Sequence, residues 1–259
     1  DLTVPSRLTC TSAWFAGGGP DAVVDDGDSA IGVTFPVRSS GGTWFRQAIG
    51  GVWASPTARD VYLTVPATEI VWKIDSEGRL RRVAGTGMRN PPANPLDGDG
   101  GPALDADLNG PGAITGDASG NIFFADHERP DIIHEGHEVF GNVAIRRIDA
   151  ATRVLSTVVG TNMFGWTGDG YPAAGNPSFP VISLAVSPPR PGAPNGELHF
   201  GVQGYVTAGG SSAPLQFDLV RKVDGAGLLD TVVGREESHE TINAPLMPAA
   251  NRSTCGTRG

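Results

Sequence analysis

The stretch IRRIDAATRVLSTVVG at residues 145–160 has two near-copies in this chain, VWKIDSEGRLRRVAG at 71–85 and VRKVDGAGLLDTVVG at 220–234. In each copy an alternating run ends in Asp, turn-forming residues follow, and a β-branched run ends in Gly, which predicts a β-hairpin. The three Asp residues are 74 and 75 positions apart and the three glycines 75 and 74 apart. A constant period predicts a repeat architecture.

Each unit contains three further recurring segments. An acidic turn comes first, as DDGDSA at 25–30, DGDGGPA at 97–103 and TGDGYPA at 167–173, with Asp28, Asp99 and Asp169 aligned as structural turn residues. A strand of small residues follows, as IGGVWA, GAIT and ISLAVS, and then a second strand, as RDVYLTV, GNIFFAD and GELHFGV. With the closing hairpin, each unit has four strands in meander order, which is the blade of a β-propeller.

The sequence therefore predicts an all-β fold, a β-propeller with about three four-stranded blades in this chain. The predicted boundaries are an irregular lead-in at 1–24, blade 1 at 25–96, blade 2 at 97–166, blade 3 at 167–242, and at 243–259 the start of a further blade or a C-terminal tail.

Three blades do not close a ring, because propellers have typically four to eight. Leaving a blade face uncovered forfeits several kcal/mol at about 25 cal/mol per Å² of apolar area. We expect either that this chain is one piece of a longer propeller, with further blades on another chain or another part of the gene product, or that a homodimer completes six blades. The alternative of a longer propeller is favoured, because residues 243–259 resemble the start of a further repeat unit that stops partway. Both alternatives require a protein partner.

The net charge and the cysteine content indicate which partners and which cellular compartment the protein can have. A net charge of −9 argues against nucleic acid and anionic membrane surfaces as partners. No apolar run approaches the roughly 18 to 20 residues of a membrane span, and the first residues lack signal-peptide features, so we expect any leader to have been removed. A disulfide between Cys10 and Cys255 would fit a secreted, periplasmic or cell-surface protein. Two unrelated buried thiols are the alternative.

Residues 98–126, GDGGPALDADLNGPGAITGDASGNIFFAD, together with the following IRRID and VVG strands, resemble the NHL-repeat family of the bacterial and teneurin-like type. The other two units carry the resemblance mainly at their hairpins and acidic turns. It implies a β-propeller that serves binding in most relatives. The family also includes adhesion and scaffold modules, RNA binders and some lyases, so the resemblance is specific for fold and not for function.

Long insertions distinguish this chain from that family. They occupy residues 37–48 in unit one, 127–142 in unit two and 203–218 in unit three. Insertions at one end of a propeller form its variable, ligand-facing surface. We expect ligand or partner contacts there.

The candidate metal ligands are His127, His134 and His137, three of the five histidines in the chain. The carboxylates interleaved with them would bind the metal or orient the rings: Glu128, Asp131, Glu135 and Glu138. If His134 and His137 lay on one helical turn, both rings would project to the same side. The amidating lyases with NHL-like propellers use metal held by histidines, which this cluster resembles only in kind. A solvated polar loop is the alternative.

Other chemistry is weakly represented in the sequence. Asp97 and Asp99 begin like a calcium loop, but Gly101 and Leu108 occupy two positions where that loop needs ligands. The candidate cofactor is thus a divalent metal, with zinc favoured over calcium. No serine-nucleophile elbow or phosphate-binding loop is present. The sequence favours an extracellular binding or assembly module, and the alternative is a metal-dependent lyase or hydrolase using the histidines at the mouth of the propeller.

Overall fold

The structure is a computed structural model that describes residues 24–30, 33, 35, 49–88, 96–128, 132–134, 137–139, 142–161, 165, 167–206 and 215–234. Within these ranges the strands are β1 Gly51–Ala54, β2 Val61–Val65, β3 Ile70–Ile74, β4 Leu80–Ala84, β5 Ile114–Gly116, β6 Ile122–Glu128, β7 Ile132–His134, β8 His137–Val139, β9 Asn142–Ile148, β10 Leu155–Gly160, β11 Val181–Val186, β12 Leu198–Val206, β13 Leu215–Val223 and β14 Leu229–Val233. A 3₁₀ turn at Ala103–Asp105 is the only helical element in the same ranges.

The strands form three four-stranded antiparallel meanders. Blade 1 consists of β1 to β4, blade 2 of β5, β6, β9 and β10, and blade 3 of β11 to β14, while β7 and β8 form a separate hairpin within the blade 2 insertion. The innermost strands are neighbours, since β1 contacts β5 and β5 contacts β11. The prediction of an all-β propeller built from four-stranded blades is confirmed.

The hydrophobic core lies between the blades. Tyr62, Val71 and Ala84 of blade 1 cluster with the facing residues of blade 2, namely Ile114, Ile122, Phe124, Ile148 and Leu155. On the other side of blade 2, Ile145 and Val159 cluster with residues of blade 3, namely Val181, Leu198, Phe200, Leu219 and Leu229. We call the side of a blade that meets the following blade its front face, and the opposite side its back face.

The closing hairpins form because an Asp side chain caps the turn of each. Asp149 Oδ1 accepts the N–H groups of Ala151 and Thr152 at 3.0 and 2.9 Å. Asp75 and Asp224 each accept the N–H groups two and four residues ahead in their own turns. The Thr152 N–H is the main reason that the pKa of Asp149 lies below its usual value. A short acidic side chain that satisfies turn N–H groups explains why Asp recurs at this position.

Each acidic turn is bound to the fourth strand of its own blade. The turn glycines donate to strand carbonyls at 2.8 to 2.9 Å, in the pairs Gly27 with Leu80, Gly100 with Leu155, and Gly170 with Leu229. The Asp residues before these glycines are Asp26, Asp99 and Asp169. The predicted equivalence of Asp28 with Asp99 and Asp169 is therefore wrong. Matching the letters DGD at 26–28 and 97–99 pairs Asp28 with Asp99. The hydrogen bonds to the fourth strand instead pair Asp26 with Asp99.

Several predicted features lie outside the described residues. They are the two cysteines (Cys10 and Cys255), the insertion at 37–48 and the segment after Gly234. Within the described ranges, the structure has no helix with the length and apolar character that a membrane crossing requires.

Candidate functional site: the open front face of blade 3

The front face of blade 3 exposes a position that is buried in the other two blades. The residue before the hairpin glycine (Gly85, Gly160 or Gly234) is 0% exposed in blade 1 (Ala84) and 1% exposed in blade 2 (Val159), but Val233 of blade 3 is 58% exposed. Its neighbour Val232 is 48% exposed and Ile182 of the inner strand is 52% exposed. In the described part of the chain, blade 3 thus carries an aliphatic surface that a following blade covers elsewhere.

An ionic row borders this aliphatic surface. His199 and Lys222 are opposite each other across β12 and β13. Lys222 Nζ lies 3.5 Å from Asp230 Oδ2 and 3.8 Å from Glu197 Oε1. A hydrogen bond from Arg190 is the main reason that the pKa of Glu197 is lowered. The ring of His199 contacts the backbone oxygen of Glu197 through Nδ1 at 3.0 Å. The face therefore combines an apolar patch with alternating charges at its rim.

The back face of blade 1 has a matching exposed residue. Val52, Ile114 and Leu184 occupy the same place on the inner strands, since each pairs with a second-strand residue of the back face, Leu63, Phe124 and Phe200 respectively. Ile114 is 6% exposed beneath blade 1, whereas Val52 is 60% exposed. The rest of this back face, Leu63, Val65, Trp72 and Leu80, packs against residues from the preceding segment, including Val24, Ala30, Val33 and Phe35.

The three candidate histidines lie on strands. His127 is in β6, His134 ends β7 and His137 begins β8, with His134 directly opposite His137 in the hairpin register. The helical turn considered from the sequence is therefore wrong, because Ile132–His134 pairs with His137–Val139 as a β-ladder. Asp131 and Glu135 lie outside the described residues, as do the side chains of His127, Glu128, His134, His137 and Glu138. Among the side chains that are described, no group of three potential metal ligands occurs.

The acidic-turn aspartates Asp99 and Asp169 bind arginines of the third strand. Arg146 is fully buried and donates to Asp126 Oδ2 at 3.1 Å, Asp99 Oδ1 at 2.9 Å and the carbonyl oxygen of Asp97 at 2.7 Å. In blade 3, Arg221 donates to Asp169 Oδ1 at 3.0 Å.

In blade 1 the corresponding residue is Trp72, and Asp26 accepts the backbone N–H of Arg82 instead, at 2.8 Å. Asp28 accepts the N–H of Asp25 at 2.9 Å. All these contacts of the acidic turns lie within single blades and hold the turns in place.

Sequence reasoning did not single out Asp126 or Glu69. Both are buried, Asp126 accepts the N–H of Asn109 at 2.9 Å, and Glu69 accepts the N–H of Gly110. An acidic residue at the end of an otherwise apolar strand, as in GNIFFAD, was the available signal for Asp126.

Comparisons with known proteins add little to this geometry. No family model and no curated protein matches the sequence. A solved structure of a protein described as a gluconolactonase is similar at 12% identity over 71% of this chain, with a TM-score of 0.35. The match covers 47% of that protein, so this chain spans about half of its length. The NHL assignment stays a prediction, and the architecture rests on the strand order described above.

Proposed function

We propose that this chain is a binding and assembly module whose front face on blade 3 binds another blade-forming polypeptide. The observation that carries the proposal is the exposure of Val233 at 58%, at a position that is 0% exposed in blade 1 and 1% exposed in blade 2. Blades 1 and 2 are each covered at this place by the blade that follows. The corresponding surface is therefore buried between blades at both existing junctions, and on blade 3 it is exposed.

Covering the face would be favourable. Fully burying an exposed valine or isoleucine side chain contributes about 1.5 to 3 kcal/mol. Ile182, Val232 and Val233 are each about half exposed, so covering each one would contribute roughly half of that amount. The charged row around Lys222 would favour a partner with complementary charges, since such groups set specificity and orientation more than affinity.

The NHL-like hairpins support the proposal, because that resemblance implies a propeller used for binding. We place the module outside the cytoplasm, in a secreted, periplasmic or cell-surface setting, on the strength of the two cysteines. The insertions at 37–48, 127–142 and 203–218 would add contacts to further ligands at one end of the blades.

A site-specific photo-crosslinker tests the proposal. The full chain would carry benzoylphenylalanine at Val233 or, as a matched control, at Met88, which is 67% exposed on the loop after blade 1. On irradiation in the expressing cells we expect a covalent adduct between position 233 and a polypeptide identified by mass spectrometry, and none from position 88. Equal labelling from both positions, or no adduct from 233, would refute the proposed function.

A metal-dependent lyase or hydrolase is the second candidate. One observation favours it: His134 is directly opposite His137 in the β7–β8 hairpin, and cross-strand neighbours are close enough for side chains to share a ligand. Elemental analysis of untagged protein is expected to find about one divalent metal per chain. The metal should be lost in H134A and H137A and retained in H239A, which replaces a histidine outside the insertion at 127–142. A wild-type protein without bound metal after incubation with zinc would exclude this candidate.

A further inference from the structure

We propose that the polypeptide on the front face of blade 3 is a second copy of this chain, bound head to tail through the back of its own blade 1. This inference rests on the proposed function above and names the occupant of the face. It follows from the way in which successive blades are joined and from what the two outer blades expose.

Successive blades are joined by a repeated backbone link. The glycine at the end of the closing hairpin donates its N–H to an alanine carbonyl in the next acidic turn, from Gly85 to Ala103 at 3.0 Å and from Gly160 to Ala173 at 2.9 Å. The same alanines donate their N–H groups to the closing hairpins of their own blades, at Arg153 and Gly227. One residue of the acidic turn therefore binds two blades at once.

The two outer blades carry the separate halves of this link. Ala30, the counterpart of Ala103 and Ala173, donates to the carbonyl of Gly78 at 2.8 Å, but its own carbonyl receives no backbone N–H from the described residues. Gly234, the counterpart of Gly85 and Gly160, finds no backbone acceptor for its N–H in the same residues. A donor at one end and an acceptor at the other are what a head-to-tail contact between copies would join.

The apolar surfaces of the outer blades are complementary in the same sense. Val232 and Val233 are exposed on the front of blade 3, and Val52 is exposed on the back of blade 1. In the existing junction between blades 1 and 2, the corresponding residues Ala84 and Ile114 belong to one buried cluster. A second copy would supply the back-face partner that the described residues do not provide for the front of blade 3.

Symmetry makes two copies sufficient. The described residues of each copy form three blades, so those of two copies give six, within the usual range of about four to eight for propellers. If each blade is rotated by one sixth of a turn from its neighbour, three blades cover half a turn and a two-fold axis closes the ring with two identical junctions. Copies that each carry a net charge of −9 repel at long range, so we expect association to strengthen as salt is raised.

Complementation between interface variants tests the inference. Val233→Glu alters the front face of blade 3, Val52→Glu alters the back face of blade 1, and Met88→Glu is the control. By light scattering we expect the wild type and Met88→Glu to form dimers of about 54 kDa from chains of 26.8 kDa. Each interface variant alone should have a dimer Kd raised by at least about tenfold, because an unpaired charge is buried at both junctions. Mixing the two variants leaves one native junction per dimer, so mixed dimers should reappear.

The other outcomes overturn the inference in distinguishable ways. Sensitivity to Val233→Glu alone would indicate a front-to-front dimer, and failure of the mixture to associate would exclude the head-to-tail arrangement. A monomeric chain whose position 233 crosslinks to a different polypeptide would overturn the second-copy proposal while leaving the assembly function intact. A monomer without such an adduct would overturn both. Thermal unfolding of each variant identifies loss of fold, in which case Val233→Thr and Val52→Thr replace the glutamates.

Discussion

Replacing Arg146 with methionine is expected to lower the free energy of unfolding by about 3 to 5 kcal/mol, the usual cost of removing one partner of a buried ion pair. Arg146 and its partner Asp126 are both 0% exposed. Methionine keeps much of the volume but leaves Asp126 with one hydrogen bond, from the Asn109 N–H. Asp99 and the carbonyl of Asp97 also lose a donor. Urea unfolding followed by circular dichroism measures the change.

Two comparisons separate the buried charge from general damage to blade 2. Adding Asp126→Leu to the Arg146 variant removes the unpaired carboxylate and should restore part of the lost stability. Arg221→Met in blade 3 should cost less than Arg146→Met, because the side chain of Asp169 is 48% exposed and can bind water when the arginine is gone. Equal losses for Arg146→Met and Arg221→Met would contradict this account.

Gly160→Ala is expected to destabilise the protein by about 3 to 5 kcal/mol, from backbone strain together with overpacking. Gly160 has a φ of 86°, in the left-handed region that L-residues avoid. A Cβ added there would lie 2.1 Å from the carbonyl oxygen of Val143. The backbone would have to move, and the N–H bond from Gly160 to Ala173 would be strained with it.

Gly170→Ala is the matched control for this substitution. Gly170 has a similar φ of 80°, but nothing lies within 4 Å of its would-be Cβ. Its substitution should cost about 1 to 2 kcal/mol, from the backbone conformation alone. Equal effects in thermal unfolding of the two variants would show that the close approach to Val143 is unimportant.

The candidate site was only partly predictable. The sequence predicted that uncovered blades need a partner, because the three hairpins have the same pattern and three blades do not close a ring. It did not predict which residues of blade 3 would be exposed. Sequence comparison also misaligned the acidic turn of blade 1. The correct alignment depends on the hydrogen bond from the Gly27 N–H to the Leu80 carbonyl, which joins residues 53 positions apart and is not indicated by any local sequence pattern.

Local physics explains why the sequence alone determined the strands, the turns and the repeat. Side-chain alternation, Asp at the hairpin turn and Gly at the end of the hairpin act over a few residues, so they can be recognised without knowing which residues pack against them. Only the tertiary structure decided which of these repeated surfaces is buried. Val158 and Val159 carry the same local pattern as Val232 and Val233, yet the first pair packs against a following blade while the second pair is exposed. Burial depends on neighbours far away in the chain, and these differ between identical motifs.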